Sequence, residues 1–391
     1  MINETIKKGI LQYREELTAL RRKLHSEPEL SWEEYNTTNF VCDYLGQLGI
    51  SYRRTEPTGV IATIHGGKPG KTVALRGDMD ALSVEELNQA LPYASKYPGK
   101  MHACGHDAHT AMLLIAAKVL NERKADLPGN VRLLFQPAEE VAEGAKAFVK
   151  QGAVDDVDNV FGIHIWSQMP TGTVSCTAGP SFASADLFKV TFKGKGGHGA
   201  LPHACVDTAI VASSFVMNVQ SIVSRTIDTQ QPAVVTIGKM DVGTRFNVIA
   251  ENAVIEGTVR CFDPEVRDHI ESQLQHYADQ VAALYGATAK LEYTRGTQAV
   301  INDEESAKLA QNIVHEAFGE NALYHEKPTM GGEDFSDYFK KAPGCFALVG
   351  SGNPEKDTEW AHHHGKFNID EDALVVGAEL YAQYAWGYLN K

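Results

Sequence analysis

The sequence predicts an α/β protein: a large domain built on a mostly parallel sheet flanked by helices, with an inserted ferredoxin-like β-α-β-β-α-β unit. Three observations predict it. Four continuous apolar runs rich in β-branched residues, TVALRG (72–77), VRLLFQ (131–136), VFGIHI (160–165) and FALVG (346–350), read as strands buried on both faces. Between the third and the fourth, almost two hundred residues apart, the pattern changes to alternation. At 391 residues the chain is also too long for one small core.

The elements follow in order. SWEEYNTTNFVCDYLGQLG reads as a helix, with Ser31 and Glu34 in a capping-box pattern and Gly49 at its C-terminal stop. The apolar stretch 109–120 reads as a helix preceded by the polar loop MHACGHDAH (101–109). After residue 182, ADLFKVTFKG is a half-buried strand and DTAIVASSFVMNVQSIVS an amphipathic helix. AVVTIG and AVIEGTVR are strands, and PEVRDHIESQLQHYADQVAALYG is a helix with Pro264 in its first turn and Gly286 at its end. ATAKLEYTR closes the set as a strand. The expected division is 1–182 with 296–391 as the larger, catalytic domain and 183–295 as the insertion.

Composition narrows the function. Hydrophobic residues make up 43% and charged residues 22%, values ordinary for a globular protein, and the net charge of −14 argues against nucleic acid and anionic membrane surfaces as partners. The N-terminal segment has no signal-peptide pattern, and AMLLIAAKVL is too short to span a bilayer. Six cysteines stand singly, with no CxxC pair, which suits reduced thiols in a cytoplasmic compartment.

The chemistry-bearing residues fall at element ends. TVALRG runs into Asp78 and Asp80, VRLLFQ into Glu139 and Glu140, and VFGIHI carries His164, while CGHDAH sits at a helix start. Ligands of open α/β sheets bind beyond the carboxyl ends of the strands. Each residue has a plainer reading by itself: a core cysteine, a solvated Glu-Glu pair, a satisfied core histidine, a surface run at His362–His364. CGHDAH fits no zinc-finger spacing, and the helix N-terminus would favour a thiolate at Cys104. Their joint placement favours a metal site.

The blocks ALRGDMDAL, MHACGHDAHTAMLL, LLFQPAEE, GIHIW, GKGGHGALPH, RFNVIAE, GTVR and MGGEDFSDYF resemble, in order and over roughly 15–385, the amidohydrolase branch of the M20 metallopeptidases. That branch includes hippurate hydrolases, N-acyl-L-amino acid amidohydrolases, N-acetyldiaminopimelate deacetylases and auxin-conjugate hydrolases. The resemblance implies a catalytic domain and a lid that also dimerises, giving a homodimer or a larger assembly built on it. It implies Cys104, His106, Glu140, His164 and His363 as ligands of two divalent ions, manganese first, with zinc or cobalt as alternatives. His363 follows by counting back from Phe367 in HHHGKF. Gly365 stands where the family has proline, and His362 or His364 could take the ligand's place. Glu139 would be the general base, and His198 would stabilise the oxyanion in the partner subunit's site. Asn247, Arg260 and the glycine-rich loop at Gly332 would bind substrate. Glu333 and Asp334 would support the site or cap a helix, and Asp78, Asp80, Asp107 and His109 would orient the ligands by hydrogen bonds.

Such a constellation suits amide hydrolysis, because paired cations acidify water and polarise the carbonyl while a free carboxylate moves the proton. The expected reaction releases a carboxylic acid and an amino acid from an N-acyl-L-amino acid of N-acetyl or N-benzoyl type. The alternatives are a dipeptidase or carboxypeptidase, or an N-acetyldiaminopimelate deacetylase, on the same site.

Overall fold

A computed structural model describes residues 2–391. The chain folds into two compact units. One comprises the chain up to Ser181 with Ile301–Lys327 and Asp334–Lys391, and the other Phe182–Val300 with Pro328–Glu333. The insertion thus extends to Val300, and it recruits six residues, 328–333, from the segment the sequence assigns to the larger domain.

The larger unit is built on a seven-stranded sheet in the order Ser51–Arg54, Val60–His65, Pro128–Gln136, Lys68–Asp78, Asn159–Pro170, Gly344–Gly352, Val174–Ser175. The four strands from Pro128–Gln136 to Gly344–Gly352 are mutually parallel, and antiparallel strands close both edges. Gly344–Gly352 is buried at every residue, as a central strand covered on both faces must be. The helices His106–Glu122 and Asp372–Leu389 pack on each other and on the central strands. Their crossing is close because position 377 is glycine: a Cβ there would lie 2.1 Å from Met112 Sδ.

Two local expectations are corrected. The helix after SWEE spans Tyr35–Gln47 with Glu34 at its N-cap position, and neither Ser31 nor Glu34 caps it with a side-chain hydrogen bond. Ser31 Oγ instead donates to Asp80 Oδ2 at 2.7 Å, and Glu34 is fully buried, accepting from Thr58 Oγ1 and from the Ala138 N–H. A capping box is a local pattern, and here buried partners from distant segments outcompete the helix end. The helix expected at 109–120 starts three residues earlier, at His106, so that His106, Asp107 and His109 lie inside its first turn and are buried there.

The inserted unit is a four-stranded antiparallel sheet in the order Ala233–Val242, Asn252–Cys261, Ala185–Lys193, Thr288–Thr297, with the helices Thr208–Ser221 and Pro264–Tyr285. That strand order belongs to the ferredoxin-like unit. Alternation in Ala185–Lys193 buries Phe188, Val190 and Phe192 against Val211, Phe215, Ile270 and Leu274. The second helix has the ends its sequence predicts: Asp263 Oδ1 accepts the N–H of Glu265 and Val266, Pro264 opens the first turn, and Gly286 takes φ +76° at the stop. Among the described residues, no helix is long and apolar enough to cross a membrane.

Candidate metal centre

The parallel strands deliver polar residues to one edge of the larger unit. Lys68–Asp78 ends on Asp78, with Asp80 two residues on, Pro128–Gln136 runs into the turn that carries Glu139 and Glu140, and Asn159–Pro170 contributes His164. Between Cys104 and His106, Gly105 adopts φ +90°, and a Cβ there would lie 2.4 Å from Ile165 Cγ2. Only glycine lets the helix start press so closely onto the His164 strand.

The side chains converge. Cys104 Sγ lies 3.4 Å from His164 Nε2 and 3.9 Å from His362 Nδ1. His106 Nε2 lies 3.8 Å from Glu140 Oε1 and 4.0 Å from Glu139 Oε2, and His363 Nε2 is 3.5 Å from Glu140 Oε2. Cys104, His106 and Glu140 offer donor atoms within 4.8 Å of one another, and so do Cys104, His164 and His362. Cys104 belongs to both groups. Of the three C-terminal histidines, His362 is turned to the thiol and its Nε2 accepts the Ser167 N–H, while the more exposed His363 faces Glu140. His364 stacks on Trp360 instead.

The supporting groups are carboxylates. Asp80 lies 3.3 Å from His106 Nδ1 and accepts the main-chain N–H of Glu139 at 3.1 Å and of Glu140 at 3.0 Å. Asp78 Oδ1 accepts from His109 Nδ1 at 2.6 Å, and His109 Nε2 accepts the Ile165 N–H at 2.8 Å, which fixes the tautomer and ties the helix to the His164 strand. Asp78 is paired with the buried Arg76, whose guanidinium also holds Gln136 and Asp334. Asp107 turns away from His106 towards Arg21 and His25, and His25 continues to Glu86. The reach of Asp80 to two main-chain amides and the buried Arg76 are not visible in sequence. Their signal is no more than a polar pair at a strand end.

Electrostatics show what the site accommodates. Burial, and then the Glu140, Glu139 and Asp78 carboxylates, push the Cys104 thiol well above its ordinary value, so the helix terminus alone does not make it a thiolate. Burial raises Glu140 to about 7 and lowers His164 strongly, leaving a neutral imidazole. Burial would also lower His106, but Asp78, Asp80 and Glu140 outweigh it and raise it to about 10. The carboxylates thus favour positive charge at His106, while burial keeps His164 and His362 neutral. His106 Nε2 and Glu140 Oε1 are buried with no hydrogen-bond partner. A thiol, imidazoles and a carboxylate, with orphaned donor atoms aimed at one point, fit a divalent cation, which would also deprotonate the thiol.

The remaining predicted residues lie on the inserted unit. Gly197–His198 pairs with Val248–Ile249, and the Gly199 N–H donates to Asn247 O at 3.0 Å, so His198 and Asn247 sit on one short ribbon. His198 is exposed, and its Nδ1 accepts the Ala200 N–H. Arg260 and Gly332 adjoin: a Cβ at 332 would come 3.0 Å from Arg260 Nη1.

Comparison with known proteins gives a consistent picture. The family described as Peptidase family M20/M25/M40 matches residues 74–386. An N-acetyl-L-cysteine deacetylase of Bacillus subtilis (strain 168) is 43% identical over 361 residues, covering 92% of this chain and 85% of that protein. Thermostable carboxypeptidase 1 of Saccharolobus solfataricus is 38% identical over 393 aligned positions, covering 99% of each chain. The crystal structure of Bacillus subtilis YXEP protein, a dinuclear metal binding peptidase from the M20 family, matches with a TM-score of 0.86 at 35% identity, covering 97% of this chain and 99% of that one.

Proposed function

The chain belongs to peptidase family M20/M25/M40 and is a metal-dependent amidohydrolase; from that premise we propose that it hydrolyses small N-acyl-L-amino acids, N-acetyl amino acids first, to a carboxylic acid and a free amino acid. The reading rests on one observation. Cys104 joins His106 and Glu140 on one side and His164 on the other, with His106 Nε2 and Glu140 Oε1 buried without a hydrogen-bond partner, beside a second carboxylate at Glu139.

In this reading Cys104, His106, Glu140, His164 and His363 hold two divalent ions, manganese in preference to zinc or cobalt. Such a pair supplies Lewis acidity, making water more acidic and the amide carbonyl more electrophilic. The chain's own residues do the rest. Glu139 takes a proton from the attacking water as its oxygen bonds to the acyl carbon, then gives that proton to the nitrogen as the C–N bond breaks. Asp80 keeps Glu139 and Glu140 in place by receiving both of their main-chain N–H groups. His198 donates to the developing oxyanion, Arg260 pairs with the substrate carboxylate, Asn247 hydrogen-bonds the substrate, and Gly332 leaves room beside Arg260. The acetyl preference is supported by the relative named N-acetyl-L-cysteine deacetylase, and a homodimer through the inserted unit, working in the cytoplasm, completes the reading.

A second reading, carboxypeptidase action on a peptide bond, is favoured by the Saccharolobus relative. Protein stripped with a chelator and reloaded separately with Mn²⁺, Zn²⁺ or Co²⁺ separates the two when assayed on N-acetyl-L-cysteine, N-benzoyl amino acids and dipeptides. Turnover of N-acetyl substrates, absent from the stripped protein and highest with Mn²⁺, is expected. Fully loaded protein that cleaves dipeptides and leaves every N-acyl amino acid untouched would overturn the first reading in favour of the second.

A further inference from the structure

The side chains of Ser31–Glu34 make no capping hydrogen bond to the helix that follows and go elsewhere. Ser31 Oγ donates to Asp80 Oδ2, Trp32 Nε1 donates to Glu143 Oε2 at 3.1 Å, and Glu34 Oε1 accepts the Ala138 N–H at 2.9 Å. All three contacts touch the turn that follows Pro137, or the aspartate that holds it. Because Asp80 accepts the next two amides, three consecutive N–H groups, at Ala138, Glu139 and Glu140, each end on a buried carboxylate. The turn needs such anchoring. Ala138 sits at φ +56° and Ala142 at φ +57°, a region that the Cβ of an L-residue disfavours. Outside a helix or sheet ladder, the Ala138 amide would otherwise be buried without an acceptor.

We propose that Glu34 is a positioning residue for Glu139: it receives the amide of the strained residue just before the general base and so fixes where that carboxylate points. The inference rests on the reading of Glu139 given above. Glu34 itself is fully buried, with Oε2 engaged by Thr58 Oγ1 at 2.7 Å, and its part is played through the main chain. What the turn requires of it is an acceptor of the right length.

Two substitutions separate that requirement from mere filling of space. Glu34→Met keeps the bulk and removes the acceptor. Glu34→Gln keeps an acceptor oxygen for Ala138 and offers its amide to Thr58. For Glu34→Met, kcat is expected to fall about tenfold or more with KM, bound metal per subunit and Tm near wild type, while Glu34→Gln stays within about threefold of wild type. Hydrogen exchange at the Ala138–Glu140 amides should quicken in Glu34→Met and not in Glu34→Gln. Wild-type kcat in Glu34→Met, an equal loss in both variants, or a loss that merely follows lost metal would each overturn the proposal. Should Glu34→Met fail to fold, Glu34→Asp keeps a carboxyl acceptor but shortens its reach to the Ala138 amide. Faster exchange at the Ala138–Glu140 amides with lower kcat is then expected, and no change in either overturns the proposal. The exchange readout does not depend on the reaction: if Glu139→Gln proves fully active, the general-base reading fails while the anchoring of the Ala138 amide is still measured.

Discussion

Asp80 and Glu140 are joined through the main chain: Asp80 Oδ2 accepts the Glu140 N–H at 3.0 Å, while Oδ1 accepts that of Glu139 and lies 3.3 Å from His106 Nδ1. One buried carboxylate thus sets the places of an imidazole and of two further carboxylates, and it has no oxygen to spare. Asp80→Asn keeps the shape but turns one acceptor into a donor facing an N–H. Activity is expected to fall by about 10- to 100-fold, with weaker metal retention on dialysis. An Asn variant with wild-type kcat and metal content would show that the turn holds itself.

The proposed division of labour between the adjacent glutamate and the cysteine is tested by separating binding from turnover. Glu139→Gln is expected to retain metal and lose about 10²- to 10⁴-fold in kcat. Cys104→Ala removes the donor common to both clusters and is expected to lower metal per subunit, measured by atomic emission after gel filtration. A Cys104→Ala protein with unchanged stoichiometry would take the thiol out of the ligand set. The same measurement on His362→Ala and His363→Ala decides which of the two histidines beside the cluster retains metal.

What was legible in the sequence, and what was not, follows from the range of the interactions. The central strands are readable because burial on both faces forces continuous apolar runs, and polar residues just past such runs fall together at one sheet edge. Cys104, His106, Glu140 and His164 accordingly come close in space. The roles of Ser31 and Glu34 were not readable, because the residues that claim them, Asp80 and Ala138, lie far along the chain and no short pattern encodes their arrival. The start of the helix at His106 is hidden for a related reason. Polar residues in a first turn read as loop, but here each has a buried partner: Asp80 for His106, Arg21 and His25 for Asp107, and Asp78 for His109. The four long strands and two long helices of the inserted unit are legible, since their alternation and helix ends are local signals, but the short ribbon of Gly197–His198 with Val248–Ile249 and the segment 328–333 that joins the unit carry none.

Glu34 gives a pH dependence with a definite sign. Burial, reinforced by the neighbouring Asp80 carboxylate, lifts it from its ordinary 4.5 to about 7, against the lowering effect of the hydrogen bonds from Thr58 and Ala138. The folded protein therefore holds a proton that the unfolded chain has released. The contribution is fully present below about pH 4.5 and is lost as pH rises through about 7. Compared with Glu34→Gln, which does not titrate, wild-type protein is expected to lose on the order of 3 kcal/mol of stability across that window. Parallel urea titrations of the two metal-stripped proteins check it. A wild-type advantage that grows with pH would mean that Glu34 is ionised in the fold and that its hydrogen bonds outweigh its burial.

Arg267 and Asp186 form the ion pair on which the stability of the inserted unit depends. Arg267 Nε donates to Asp186 Oδ2 at 2.7 Å, the guanidinium makes a second contact with Oδ1, and its Nη2 reaches Thr297 O. Asp186 also accepts from the Tyr293 hydroxyl and the Gly296 N–H, so a helix and two strands are joined at one buried carboxylate. Removing the cation alone leaves that charge in a low-dielectric setting, and Arg267→Met is expected to destabilise the unit by about 3–5 kcal/mol. Replacing both partners, Arg267→Met with Asp186→Leu, removes the stranded charge and should recover part of the loss. It should not recover all of it, because the Tyr293 hydroxyl and the Gly296 amide then lose their acceptor. Hydrogen exchange along Ala185–Lys193 reports both variants. A double variant as stable as wild type would mean that the ion pair contributes nothing net, and an Arg267→Met protein with wild-type protection would mean that Tyr293 and Gly296 suffice to hold the carboxylate.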